Sequence, residues 1–500
     1  MRHPSLIIAA LLCGLCISCT FQSPDTRVNA SLTRDNRFTG RSNTDESLMT
    51  IRLDNAGALS LHHIDVTLNG DPGVAKALNV TKDGQRIGGT KVKAGKNSYR
   101  ISCKAECDSL TTLVLCADIS GSAPEGARIS ADIPAIGFKG AAACPEAPEE
   151  GAREVLLVRR KLFGPGDYGS KNYRIPAIYT LTDGSLLTAT DKRKYNQNDL
   201  PDDIDVIASR STDGGLTWSE PVTVEEGKGF GKGFGDAALV TTASGDVLCA
   251  YSGGPGLWAS NEEVPACNYI RRSRDNGTTW EDAVELHGMF WGKNAVHKEC
   301  RDSHSAFFGS GRGLRLEKGE HAGRVMFVVA IHSRRTNRFD NYIVYSDDEG
   351  QSWNMSELAF VGGDEAKVVE LPDGRILLSV RRSGERGFNI SEDGGVTWGE
   401  QGLWPEITVN ACDGDIICVG DSLLLHSVPN SMKRENVSIF VSRDNGQTWP
   451  YVKSICPYNS VYSSLTVLPD GTIGAYIEES IDGQIEMWFM NFSLDWLLTN

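Results

Sequence analysis

Positive charge is in short supply: 50 Lys and Arg against 65 Asp and Glu leave a formal net charge of −15. A nucleic-acid binder normally carries a basic face that neutralises phosphates, so no nucleic-acid partner is expected. A small anionic ligand stays possible, because a few arginines in one cleft reverse the local field whatever the total. Long apolar runs are lacking too. The one strongly apolar stretch, residues 6–17, is too short to span a bilayer stably but suits the h-region of an export signal behind Arg2 and His3. Helical periodicity is absent over any length. Outside the first 19 residues no CxxC pair has zinc spacing, and His304, His332 and His426 lack metal-ligand spacing, so neither a metal nor another cofactor is required. Residues 227–235 (GKGFGKGFG) lack the GxxxxGK[ST] order of a phosphate loop and read as a flexible rim.

What is present begins with that signal, residues 1–19, in which Cys13, Cys16 and Cys19 are crowded. Cys16-Ile-Ser-Cys19 resembles a lipoprotein processing site, so two outcomes fit: simple cleavage, or lipidation of Cys19 with attachment to a membrane. The remaining ten cysteines are scattered, as buried thiols are. At 500 residues, two domains are the prior. Residues 141–151 (AAACPEAPEEG) have linker composition and separate two textures. Before them, residues 28–140 show short strand-like runs between Gly, Asn and Asp turns, which predicts a small β-sandwich.

Residues 152–500 are repetitive. The pattern S-x-D-x-G-x-[TS]-W occurs five times, ending at Trp218, Trp280, Trp353, Trp398 and Trp449. Each copy has hairpin-turn chemistry, with Asp to accept backbone N–H bonds, Gly for positive φ and Trp to cover the turn. A second repeat, a Gly-bearing turn followed by an apolar strand, recurs six times, at Gly184, Gly245, Gly323, Gly374, Gly420 and Gly471. An all-β chain follows: a six-bladed β-propeller of four-stranded sheets preceded by the β-sandwich.

An antiparallel hairpin sets residues equally distant from its turn side by side at its open end. Arg174 and Arg193 flank Gly184, Glu365 and Arg381 flank Gly374, Tyr462 and Glu478 flank Gly471, and Asp236 precedes Gly245. At about 3.3 Å per residue all lie roughly 25 Å from their turns, which predicts one charged and aromatic mouth. Arg174, Arg381 and Arg434 at that mouth suit a carboxylate or phosphate ligand, which guanidinium forks bind bidentately.

These motifs bring a family into view. The propeller half resembles the bacterial and trypanosomal sialidases with five Asp-boxes, and the first half resembles the β-sandwich preceding some Bacteroidetes sialidase domains. Tyr173-Arg174-Ile175-Pro176 matches the family's [FY]RIP motif, which carries the first arginine of its carboxylate-binding triad. The block from Asp364-Glu365 to Val380-Arg381 matches the one holding its catalytic Glu and second arginine, and Arg434 takes the third arginine's place. Tyr462 falls on the nucleophile and Glu478 on the carboxylate that orients the first arginine. The family's acid/base Asp lies six residues after the arginine of a D-x-R motif; with Asp191-Lys-Arg193 that selects Asp199, and Arg193 itself is expected among the substrate-binding residues. Asp202 and Asp203 are then solvated loop charges, and Asp205 is structural. Asp236 and Trp258 correspond more loosely to residues lining the pocket for the N-acyl and glycerol groups, with packing as the other role open to Trp258.

The resemblance implies an exo-α-sialidase acting on sialylated glycans: a monomer, exported to the periplasm or held as a surface lipoprotein of a Gram-negative bacterium. A sialoside's anomeric carbon carries a carboxylate, so a carboxylate nucleophile would meet like-charge repulsion where the bond must form; a neutral tyrosine avoids this. Two rivals stay open. A non-catalytic sialoglycan-binding propeller would keep the arginines and could lose Tyr462, Glu365 or Asp199, and a trans-sialidase would differ only in its acceptor. The first domain either binds carbohydrate or spaces the second.

Overall fold

The computed structural model describes residues 28–54, 59–71 and 73–499. The export signal and Cys19 lie outside the described residues. The chain divides into two compact units: residues 28–36, 44–118 and 129–152 form the first, and residues 37–43, 119–128 and 153–499 the second.

The first unit is all-β and sandwich-like. One sheet pairs Asn29–Arg34, Glu46–Asp54, Leu110–Ile119, Ala75–Lys82 and Gln85–Lys91; the other pairs Ser98–Cys107, Leu59–Gly70 and Arg128–Phe138. A single residue pair, Gly88↔Cys103, joins them. The alternating burial of Ser98–Cys107 is the period-2 signature of a strand with one solvated face. Ala141–Ala143, within the expected linker, pairs with Arg128–Phe138 as a short strand.

In the second unit the sheets follow one another along the chain. Four are blade-like: one from Asn172–Thr180, Leu186–Arg193, Ile204–Ser211 and Val222–Glu225, and three built from residues 233–285, 303–361 and 366–410, with Gly311–Arg312 crossing over to pair with Gly233–Thr241 of the sheet before its own. The expected six separate blades are not what the hydrogen bonding delivers. The 17-residue strand Tyr451–Val467 pairs at one end with Glu435–Ser442 and at the other with Ile473–Ile481, fusing what would be two blades into one seven-stranded sheet. Val158–Phe163, from the start of the unit, completes that sheet against Gln484–Phe492.

Apolar side chains are buried between successive sheets. Leu187, Ala189 and Val206 meet Leu239 and Tyr251, while Tyr173, Leu186 and Ile207 meet Tyr476 and Phe489, which packs the first sheet against the last. Covered on both sides, the second strands read as nearly continuous apolar runs: eight of the nine residues of Val325–Ser333 are buried.

The five repeated turns fold alike. In the third, Asp348 Oδ1 accepts from Ser352 N at 2.8 Å and Ser346 Oγ at 2.7 Å, Oδ2 accepts from Ser352 Oγ at 2.6 Å, and Ser346 Oγ accepts from Gly350 N at 2.7 Å. This closed set of bonds explains why Ser, Asp, Gly and Thr or Ser stand at fixed spacing. The register places the turns away from the mouth, since Ser211 pairs Leu186 while Arg193 pairs Ile204 at the other end. Hydrogen bonds from Ser352 hold the Asp348 carboxyl down at about 2, below its ordinary 3.8. A group depressed on folding stabilises above its unfolded value and loses that contribution as pH falls through its folded one. Urea midpoints measured from pH 5 to pH 2 should fall, and fall less in Asp348→Asn; parallel profiles would refute the link.

Candidate active site

The mouth is built by irregular strands. Register shifts occur between Arg174 and Ala177, Gly235 and Ala238, Ser303 and Ser305, and Ser460 and Ser463, all at the ends far from the repeated turns. A bulge re-aims the side chains beside it, and Ile175 and Asp236 take positive φ of 61° and 58° there. Arg174 and Tyr462, which a regular strand would commit to one sheet face, are thereby turned toward each other. Glu365 and Arg381 need no bulge, because Arg381 N donates to Glu365 O at 2.8 Å as the hairpin count predicted.

Tyr462 is the centre. Its hydroxyl donates to Glu365 Oε2 at 2.7 Å and accepts from Arg381 Nη1 at 2.6 Å, while Arg381 Nη1 also bonds Glu365 Oε2. The guanidinium carbons of Arg174, Arg434 and Arg381 lie 5.5, 5.7 and 6.0 Å from the Tyr462 ring centroid. Glu478 sits behind, its Oε1 accepting from Arg174 Nε at 2.7 Å and Ile175 N at 2.6 Å, its Oε2 from Tyr462 N at 3.2 Å. One fully buried carboxylate thus orients the first arginine and anchors the tyrosine's backbone. Arg434 donates to Ala411 O at 3.3 Å.

A cavity of about 210 Å³ opens beside this cluster, lined among others by Asp199, Asp236, Trp258, Glu365, Arg381 and Tyr462. Asp199 is exposed and paired with Arg193 at 2.6 Å. Although the side chain is open to solvent, the protein walls of the cavity crowd around it and partly desolvate its carboxyl, which pushes it up; Arg193 and Arg174 outweigh this and hold it below the usual range. Arg193 is buried, absent from the lining, and shared among Asp199, Asp191 at 3.1 Å and Gln197 O at 2.6 Å. Trp258, 72% exposed, meets the His332 and Phe339 rings edge-on with centroids 4.8 and 5.9 Å away. Of the neighbouring aspartates, Asp203 and Asp205 both pair with Lys194, at 2.9 and 2.8 Å.

Burial pushes the Glu365 carboxyl up, against the pull of Arg381, to about 7, and holds the Tyr462 phenol well above its ordinary value, with Glu365 adding to it. Burial and Asp191 raise Asp236 well above the carboxylate range.

Several groups were given no role by the sequence, Asp191 appearing there only as the first residue of the D-x-R motif. Asp191, raised by burial to about 6, accepts from Asp236 N at 3.1 Å, and a Cβ on Gly235 would stand 2.7 Å from its Oδ2. That close approach requires glycine; residues 233–235 of the run expected to be a flexible rim open the strand Gly233–Thr241. Beneath Glu365, buried Lys367 pairs with buried Asp413, which accepts from Ser310 Oγ at 3.2 Å and has Arg386 at 3.8 Å. Removing one partner of a buried pair strands the other's charge. Lys367→Met should therefore cost about 3 kcal/mol in urea unfolding, against less than about 1 kcal/mol for Lys161→Met at its exposed pair with Glu486. Equal losses would refute the distinction.

The chain is similar to known proteins over most of its length. A family model described as a BNR repeat-like domain matches residues 196–475. A sialidase of Micromonospora viridifaciens is 34% identical over 386 residues, covering 72% of this chain and 57% of that protein, so the chain spans little more than half of that relative. A sialidase of Bacteroides fragilis is 28% identical over 85% of this chain and 79% of its own length. Among solved structures, a Hadza microbial sialidase matches with TM-score 0.72 at 21% identity, covering 93% of this chain and 99% of that one. A leech intramolecular trans-sialidase matches with TM-score 0.62 at 17% identity, covering 88% and 95%. These two likenesses establish the fold. With the family model spanning more than half of its residues, the chain belongs to the BNR repeat-like domain family, and it is similar to bacterial sialidases.

Proposed function

We propose that this chain is an exo-α-sialidase that hydrolyses terminal α-ketosidically linked sialic acid from glycans with retention, through a covalent tyrosyl intermediate. The observation that carries it is the convergence of three guanidinium groups on a buried tyrosine whose hydroxyl bonds a buried glutamate.

Arg174, Arg381 and Arg434 hold the substrate carboxylate, in a site whose burial makes each charge–charge contact stronger than in water. The Tyr462 oxygen attacks the anomeric carbon as its proton passes to Glu365, whose proton affinity near neutrality suits a base. The bond to the leaving oxygen breaks as Asp199 protonates that oxygen. Asp199 then takes a proton from water, whose oxygen displaces the tyrosyl group, and Glu365 returns the first proton to Tyr462. Two inversions give retention. A substrate carboxylate also offsets the pull of Arg174 and Arg381 on Asp199, raising its proton affinity for the acid step. Arg193 and Glu478 are positioning residues, and Asp236 and Trp258 face the rest of the sugar.

We also read the seven-stranded sheet as two blades sharing the strand Tyr451–Val467, making six. The packing of Leu425 and Ile439 against Ile477 and Met490 across its two halves supports this. Export to the periplasm or the cell surface rests on the N-terminal sequence.

The test is incubation with an aryl sialoside, followed by NMR of the first-formed sialic acid and by product analysis with added lactose. Release of the α-anomer supports the proposal. Sialic acid binding without turnover would establish the lectin reading instead, and sialyl-lactose as the main product a transferase.

A further inference from the structure

We propose that Cys267, Glu285 and His287 form a binding site for a transition-metal cation of borderline softness, zinc above all, outside the catalytic cavity. The site is made by register. Cys267–Ser273 pairs antiparallel with Val284–Glu285 through Ile270↔Val284 and Tyr269↔Glu285, and Leu286 N donates to Asn268 O at 2.8 Å, one step further on. There the strand ends: Leu286 leaves the extended conformation and His287 opens the short helix His287–Phe290, whose first side chain lies beside Cys267 and Glu285.

A sulfur, a carboxylate oxygen and an imidazole nitrogen there lie within 4.8 Å of one another, the one such trio of His, Cys, Asp and Glu found among the described residues. His287 Nδ1 is in direct ion-pair contact with Glu285 Oε1, so the imidazole and the carboxylate already converge on this spot. Thiolate, imidazole and carboxylate together are a zinc donor set, and the thiolate disfavours calcium and magnesium. Three protein ligands leave a fourth position to water. The neighbouring Ala266 lines the catalytic cavity, and its N–H donates to Ser260 Oγ at 2.8 Å. A bound cation would clamp the strand end that forms this wall.

The full chain, stripped with chelator and kept reduced, is titrated with Co²⁺ and then with Zn²⁺. The wild type should develop thiolate-to-cobalt charge-transfer absorption that Zn²⁺ abolishes, and Zn²⁺ should raise its unfolding temperature. In Cys267→Ser the charge-transfer band should vanish. Zn²⁺ affinity should fall at least about 100-fold there and in His287→Gln, no less than the loss from removing an outer-shell partner. With ten free thiols among the described residues, the variants are what assign the sulfur. A wild type without the band, or a Cys267→Ser protein that keeps it with unchanged affinity, overturns the proposal. Should one variant misfold by circular dichroism, the other decides.

Discussion

Tyr462→Phe is expected to lower kcat on an aryl sialoside by about 10⁴-fold or more, as removal of a covalent nucleophile does. The loss should be chemical rather than structural. Taking away the hydroxyl leaves Arg381 and Glu365 paired with each other, so no buried charge is stranded. The aromatic ring that the three guanidinium groups surround remains, and the carboxylate site with it. Free sialic acid should accordingly bind the variant within a few-fold of wild type by calorimetry. Turnover within tenfold of wild type would eliminate Tyr462 as nucleophile. Loss of binding along with turnover would mean that the ring is needed to hold the arginines in place.

Glu365→Gln is expected to cost about 10²- to 10⁴-fold in kcat, the usual range for a positioned general base. It should also change the shape of the pH profile. Burial favours the neutral form of Glu365 and holds its carboxyl at about 7, so the basic form is lost as pH falls through that value. On an aryl sialoside whose acidic phenol departs without a proton from Asp199, wild-type kcat/KM should therefore rise with pH up to about 7 and level off. Because Glu365 and Tyr462 share a hydrogen bond, this limb belongs to the pair. The glutamine variant, with nothing to titrate there, should lack the limb. An acid limb near the ordinary carboxylate value, or one that persists in the variant, would rule out Glu365 as the base.

Much of the mouth was legible before any coordinates because hairpin symmetry is a counting rule. Residues seven to ten positions from a turn must share an end of the sheet, and Glu365 and Arg381 stand opposite each other on that count alone. The count does not say which way a side chain faces at a bulge, and Arg174, Asp236 and Tyr462 all stand at bulges. Nor does local sequence mark Asp413 or Lys367. Each looks like a surface charge until the sheets pack, and only then does the cost of burial force them together. The number of separate sheets escaped for a related reason. Six repeats fix six hairpin turns, but nothing in the repeat indicates that residues 451–467 run unbroken through two ladders.

The sequence by itself determined the all-β class, the five repeated turns and the arginine, carboxylate and tyrosine residues that gather at the mouth, because period-2 burial, turn chemistry and charge are properties of short segments. The tertiary structure decided which carboxylates are held up and which down, where Arg193 spends its donors, and that Cys267 meets Glu285 and His287. Those depend on cross-strand register and on exclusion of water, which come into being only when distant strands are in place.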